Sequence, residues 1–261
     1  MRQIVKNIFE RFGYQIKRKK SASWLGYDLE PEADEAIKKV GPYTMLSRER
    51  LITLYQNAVF CEQNGIVGSF VECGVWKGGA VALMALANLK HGKTRRPIHL
   101  FDSFQEICEP DEKVDGARAL KEVKMWSSGE AKGRLKPLVG IYNVFGGPGT
   151  LEGNKNLLEK MIGYDPNFLY YHSGWFQETL PLDAGKVGPI AILRLDSDWY
   201  ASTKICLDYL GDRVVKNGFV VIDDYGTYEG CKKAVDEYRH KMNVTTYMHH
   251  IDADGRYWIQ E

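Results

Sequence analysis

The chain has 261 residues, 44% of them hydrophobic, with 35 Lys and Arg against 34 Asp and Glu. That length and apolar content fit one large α/β domain with a sizeable core, and the near-neutral charge gives no general attraction to nucleic acid. No apolar run approaches the ~20 residues that cross a bilayer, and the five cysteines, at 61, 73, 108, 206 and 231, form no CxxC pair, so reduced thiols and a cytoplasmic protein are expected rather than a secreted disulfide scaffold.

In chain order, "MRQIVKNIFERFGYQIKRKK" places Ile4, Val5, Ile8, Phe9 and Phe12 on one helical face and ends in Lys17-Arg18-Lys19-Lys20. One short helix with one basic cluster is a marginal membrane anchor. The arm is therefore expected to pack on its own domain or on another subunit, with membrane contact through residues 1–20 as the alternative. "SASWLGYDLEPEADE" reads as a linker containing Pro31, so residues 1–42 are an arm and linker and 43–261 the folded domain. Strands are expected at 69–75, 97–104, 168–174, 190–198, 218–226, 246–252 and 256–260, and helices at 78–90, 150–162, 200–214 and 229–241. Strand–helix alternation with uniformly apolar strands is the pattern of a parallel sheet covered on both faces, and the last two strands, with no helix between them, suggest an antiparallel edge. Residues 105–149 are the least regular and read as an insertion or lid.

Ligands of open α/β sheets sit at the carboxyl ends of the strands, and this chain places polar residues there repeatedly. In "VECGVWKGG", Glu72 and Gly74 close a strand and Gly78-Gly79 open a helix; the spacing is not GxGxxG, and Glu72 suits a cationic ligand better than a pyrophosphate. Asp102 suits the hydroxyls of a ribose or serves as a helix cap. His172 is a structural residue, a catalytic one, or with Ser173 part of a cofactor wall. Asp196 and Asp198 are expected to point apart, one toward the site and the other capping the next helix. Asp223 and Asp224, one strand later, are either salt-bridged separately or form with Asp196 a site for a hard cation such as Mg2+.

Taken together, "YTMLSRERL", "FVECGVWKGG", "FDSF", "GWFQETLP", "LRLDSDWYAST" and "VVIDDYGTYEGCKKAVDEY" resemble the macrocin O-methyltransferase (TylF-type) family over roughly 43–259. The resemblance implies an α/β, class I methyltransferase (Rossmann-like) fold: a seven-stranded mixed sheet with the last strand antiparallel and helices on both faces. It implies an enzyme that uses S-adenosyl-L-methionine and Mg2+ to methylate a hydroxyl of a sugar or sugar-containing small molecule, and a homo-oligomer. By position it implies that Glu72, Cys73, Gly74, Val75 and Trp76 surround the methionine part of the cofactor. Asp102, Ser103 and Phe104 would lie at the ribose, Ser173 on the adenine side, and Thr44 and Met45 in a lid. Asp196, Asp223 and Asp224 would hold the metal, with Asp196 also the general base. "QEIC" at 105–108 departs from the acidic-Gly step usual in the family, so residues 105–149 are where the acceptor is least defined. Two other functions compete: a nucleotide-dependent Rossmann-type oxidoreductase, and a methyltransferase-like binding module at a membrane surface. The non-GxGxxG loop and the acidic cluster speak against the first.

Overall fold

Alternate side chains of a strand point to opposite faces of a sheet, so a strand apolar at every position needs cover on both sides. A computed structural model describes residues 30–261 and shows that cover; the expected arm at residues 1–20 lies outside the described residues. The strands are β1 (Ser69–Cys73), β2 (Ile98–Asp102), β3 (Leu169–Ser173), β4 (Ile190–Leu195), β5 (Val214–Ile222), β6 (His249–His250) and β7 (Arg256–Ile259), in the spatial order β3-β2-β1-β4-β5-β7-β6. The first five are parallel, while β7 runs antiparallel between β5 and β6. This is the expected fold, with the antiparallel edge where the missing helix placed it.

Three helices, α1 (Pro31–Val40), α2 (Arg48–Gln63) and α3 (Gly79–His91), pack on one face over Phe70, Ile192 and Val221. After α4 (Gly116–Trp126) and α5 (Leu151–Lys155), the opposite face is covered by α6 (Phe176–Val187), α7 (Tyr200–Leu210) and α8 (Glu229–Lys241), over Val71, Leu193 and Val220. Helix α1 corrects the linker reading. Pro31 opens a helix, a position where its missing N–H costs nothing, and Ala33, Ala36 and Val40 are buried in the core. The compact unit accordingly runs from Ala33 to Glu261. The expected helix at 150–162 is α5 followed by a π-helical stretch, Asn156–Met161. Among the described residues no helix is long and apolar enough to cross a membrane.

His172 turns away from the ligand edge. Its Nε2 lies 3.0 Å from His99 Nδ1, and its Nδ1 lies 2.9 Å from Asp183 Oδ2. Burial lowers the proton affinity of both rings, that of His99 from 6.5 to about 4. The unfolded chain therefore binds more protons between those pH values, and stability falls as pH drops through that window. A His99→Gln variant is expected to lose less stability between pH 7 and pH 4 than the parent, by on the order of 1–3 kcal/mol. Melting temperatures across that range check it, and parallel acid profiles would contradict it.

Candidate active site

Backbone register sets the site. Cys73 aligns with Phe101 and with Leu195, and Leu195 aligns with Ile222. One residue further on, Gly74, Asp102, Asp196 and Asp223 stand in a row along the carboxyl edge and line a cavity of about 410 Å³.

One half of the row is a backbone loop. Gly74 has φ 86°, and a Cβ there would lie 1.8 Å from the Asp196 carbonyl oxygen. Only glycine lets the ends of β1 and β4 approach so closely. Gly74→Ala is expected to cost at least about 2 kcal/mol, read as a lower urea midpoint; a midpoint equal to the parent's would contradict the close approach. Asp102 holds this loop from β2. Its Oδ2 accepts from Val75 N at 2.5 Å and Trp76 N at 3.2 Å, and its Oδ1 accepts from Phe104 N at 2.6 Å. Burial pushes the Asp102 carboxyl up to about 6, against the pull of those N–H groups. Glu72 is buried, with one oxygen paired to Arg194 and the other, Oε2, without a hydrogen-bond partner. Burial pushes it up to about 8, opposed by Arg194. Over the loop runs the segment before α2. A Cβ on Gly79 would lie 2.5 Å from the Tyr43 carbonyl oxygen, so that glycine seats Thr44 and Met45 above the start of α3.

The other half is acidic, and it differs from the expectation in two ways. First, Asp223 and Asp224 separate. Adjacent side chains leave an extended chain in opposite directions, and Asp223 falls on the face of α2. There it accepts from Arg50 Nη1 at 2.5 Å and Arg194 Nη2 at 2.6 Å. Asp223 is thus the salt-bridged carboxylate, while Asp224 turns the other way and leaves its Oδ2 buried without a partner. Second, Asp196 and Asp198 do not divide their roles. The chain leaves the strand after Leu195, Asp198 adopts φ 52°, and carboxylate oxygens of Asp196, Asp198 and Asp224 lie within 4.8 Å of one another. Asp115, not Asp198, caps the next helix, accepting from Tyr200 N at 2.6 Å. Burial and the neighbouring carboxylates raise the proton affinity of Asp198 and Asp224 well above the usual range. Three converging carboxylates, one of which carries a buried oxygen without a partner, form a donor set that a hard cation satisfies.

Two arginines, unmarked in the sequence reading, hold these carboxylates. Arg194 is 1% exposed and bridges Glu72, Asp196 at 3.0 Å and Asp223. Arg50 joins Asp223 to Asp252 at 2.8 Å and Asp254 at 3.1 Å in the β6–β7 turn. A charged residue inside the apolar run "IAILRLD" is the signal that could have revealed Arg194, since buried charges need partners.

Of the residues expected at a cofactor, Thr44, Met45, Glu72, Gly74, Val75, Trp76, Asp102 and Ser103 line the cavity. Cys73 and Phe104 face the core instead, on opposite sides of the sheet, and Ser173 is exposed; Gly174 to Gln177 form the wall at the end of β3. The irregular stretch at 105–149 folds around α4 with a small core of Val123, Leu138 and Ile141, and lends Arg118, Trp126, Tyr142 and Phe145 to the cavity.

The macrocin O-methyltransferase (TylF) family model matches residues 9–128 and 159–260, leaving unmatched a stretch that begins inside this segment. The chain is 32% identical over 237 residues, 89% of its length and 82% of the relative's, to 8-demethyl-8-(2,3-dimethoxy-alpha-L-rhamnosyl)-tetracenomycin-C 4'-O-methyltransferase of Streptomyces olivaceus. It is 34% identical over 224 residues, 83% of its length and 75% of the relative's, to demethyldecarbamoylnovobiocin O-methyltransferase of Streptomyces niveus. Among solved structures it is similar to the O-methyltransferase NovP, with a TM-score of 0.68 and 32% identity over 84% of this chain and 82% of that one.

Proposed function

This chain belongs to the macrocin O-methyltransferase (TylF) family, and on that premise we propose that it transfers the methyl group of S-adenosyl-L-methionine to a hydroxyl of a sugar-containing small molecule, with Mg2+ held by Asp196, Asp198 and Asp224. The observation that carries this reading is the meeting, in one cavity, of a glycine loop, a half-paired Glu72 and three converging carboxylates. Membership of an O-methyltransferase family removes the ground for the oxidoreductase alternative, and the membrane-module alternative rests on an arm outside the described residues.

The residues fit both groups. The free Oε2 of Glu72 suits the amino group of the methionine part, the Gly74 loop admits a ligand against the backbone, and Thr44 and Met45 cover it. Asp102, already bonded to the loop, offers its remaining lone pairs to the ribose, with Ser103 beside it. Bound S-adenosyl-L-methionine supplies a methyl group on a sulfonium, already activated toward displacement. Bound Mg2+ supplies Lewis-acid polarisation of the acceptor hydroxyl.

The chain's own part is orientation and proton removal. Asp196, oriented by Arg194, would be the general base, taking the proton of the acceptor hydroxyl as that oxygen displaces the methyl group from the donor's sulfonium. Holding the two reactants in line supplies much of the rate. The lining carboxyl groups outnumber the lining arginines, Arg50 and Arg118, and Arg50 is already engaged. That balance favours an uncharged sugar over a nucleoside diphosphate sugar.

Incubation with methyl-labelled S-adenosyl-L-methionine, Mg2+ and panels of glycosylated natural products, nucleotide sugars and sugar phosphates tests the reading. Label is expected in a neutral glycoside. Thermal stabilisation by NAD(P)H but not by S-adenosylhomocysteine would contradict it.

A further inference from the structure

The loop after β1 carries a residue that should not hold its conformation alone. Trp76 has φ 47°, a left-handed value that a non-glycine residue holds only where its surroundings over-determine it. Besides Asp102, which accepts from Trp76 N at 3.2 Å, those surroundings come from residues 145–154. Trp76 Nε1 donates to the Gly147 carbonyl at 3.2 Å, and the Trp76 carbonyl accepts from Asn154 Nδ2 at 2.8 Å. Lys77 Nζ lies 4.6 Å from the centre of the Trp76 ring and donates to the carbonyls of Phe145 at 2.9 Å and Gly146 at 3.2 Å. Gly149 passes so close that a Cβ there would lie 1.7 Å from the Trp76 carbonyl oxygen. Trp76 and Phe145 both line the cavity, whereas Lys77 is not among the lining residues.

We propose that Lys77 is a positioning residue, which latches the methyl-donor loop to the acceptor-side segment through Trp76 and the Phe145–Gly147 turn. The inference rests on the methyl-donor reading above. Binding of the donor against Trp76 then steadies the wall that carries Phe145, so the acceptor surface is set once the donor is in place. The coupling is a free energy shared between the two halves of one cavity.

Hydrogen exchange of the full chain, with and without S-adenosylhomocysteine, tests the latch. The amides of Phe145, Gly146 and Gly147 donate to Tyr142 and Asn143 carbonyls, so their exchange reports this turn. Without ligand, Lys77→Met is expected to speed their exchange about fivefold, and Lys77→Arg to restore it. In the parent, S-adenosylhomocysteine is expected to slow them further. In Lys77→Met that response is expected to vanish and the ligand to bind about fivefold more weakly. Gly149→Ala, which forces the same contact apart from the opposite side, is expected to reproduce the effect. Parent-like exchange of these amides in Lys77→Met overturns the latch. Failure of the parent to bind S-adenosylhomocysteine would instead sink the methyl-donor reading, and the ligand-free comparison would still decide the latch.

Discussion

Replacing Arg194 with methionine is expected to cost about 3–5 kcal/mol of stability. The side chain is 1% exposed, and its two terminal nitrogens hold Glu72, Asp196 and Asp223. Its removal leaves buried carboxylates facing one another, which repel unless they take up protons. Methionine fills much of the volume but answers none of that charge. Lysine keeps the charge but lacks the planar fork that reaches several acceptors at once, so Arg194→Lys should fall between the two. Urea unfolding near neutral pH measures the effect. A loss below about 1 kcal/mol for Arg194→Met would mean that the network contributes no more than exposed ion pairs do.

The second large effect is on turnover. On the proposed role of Asp196 as general base, Asp196→Asn is expected to lower kcat by roughly 10²–10⁴, while S-adenosylhomocysteine still binds, because that side chain is not part of the loop proposed to receive the cofactor. Asp198→Asn and Asp224→Asn are expected to lower activity by weakening the cation site, with partial recovery at high Mg2+. Asp223→Asn belongs to a different class. Its carboxylate is engaged by Arg50 and Arg194, so the expected loss is in stability first, with Mg2+ dependence retained. Kinetics over an Mg2+ series in the four variants separates these roles. Loss of Mg2+ dependence in Asp223→Asn but not in Asp198→Asn would reverse the assignment.

The parallel sheet is legible in the sequence because its strands are apolar at most positions, on both faces, and alternate with helices. The row of site residues is legible because each strand ends on a polar group, and register does the rest. What escapes is set by partners far along the chain. Nothing local to Asp223 announces Arg50, which approaches it from α2, or Arg194, one strand away. Nothing in "LRLDSDWYAST" shows that Asp115, from the irregular segment, takes the capping role and leaves Asp198 facing the cavity. Helix α1 escapes for a local reason: Pro31 and the surrounding charge resemble a linker, and its small buried face of Ala33, Ala36 and Val40 gives little apolar signal. Helix α4 is hidden similarly, burying only Ala119 and Val123.

Asp196, Asp198 and Asp224 are proposed to form a cation site beside the methyl-donor loop. Manganese binding to chelator-stripped protein, followed by electron paramagnetic resonance, reads it without any acceptor. One tight Mn2+ per chain is expected, displaced by Mg2+, lost in Asp198→Asn and Asp224→Asn, and kept in folded Asp223→Asn. Absence of a tight Mn2+ in the parent, with full methyl transfer in the presence of EDTA, would contradict it.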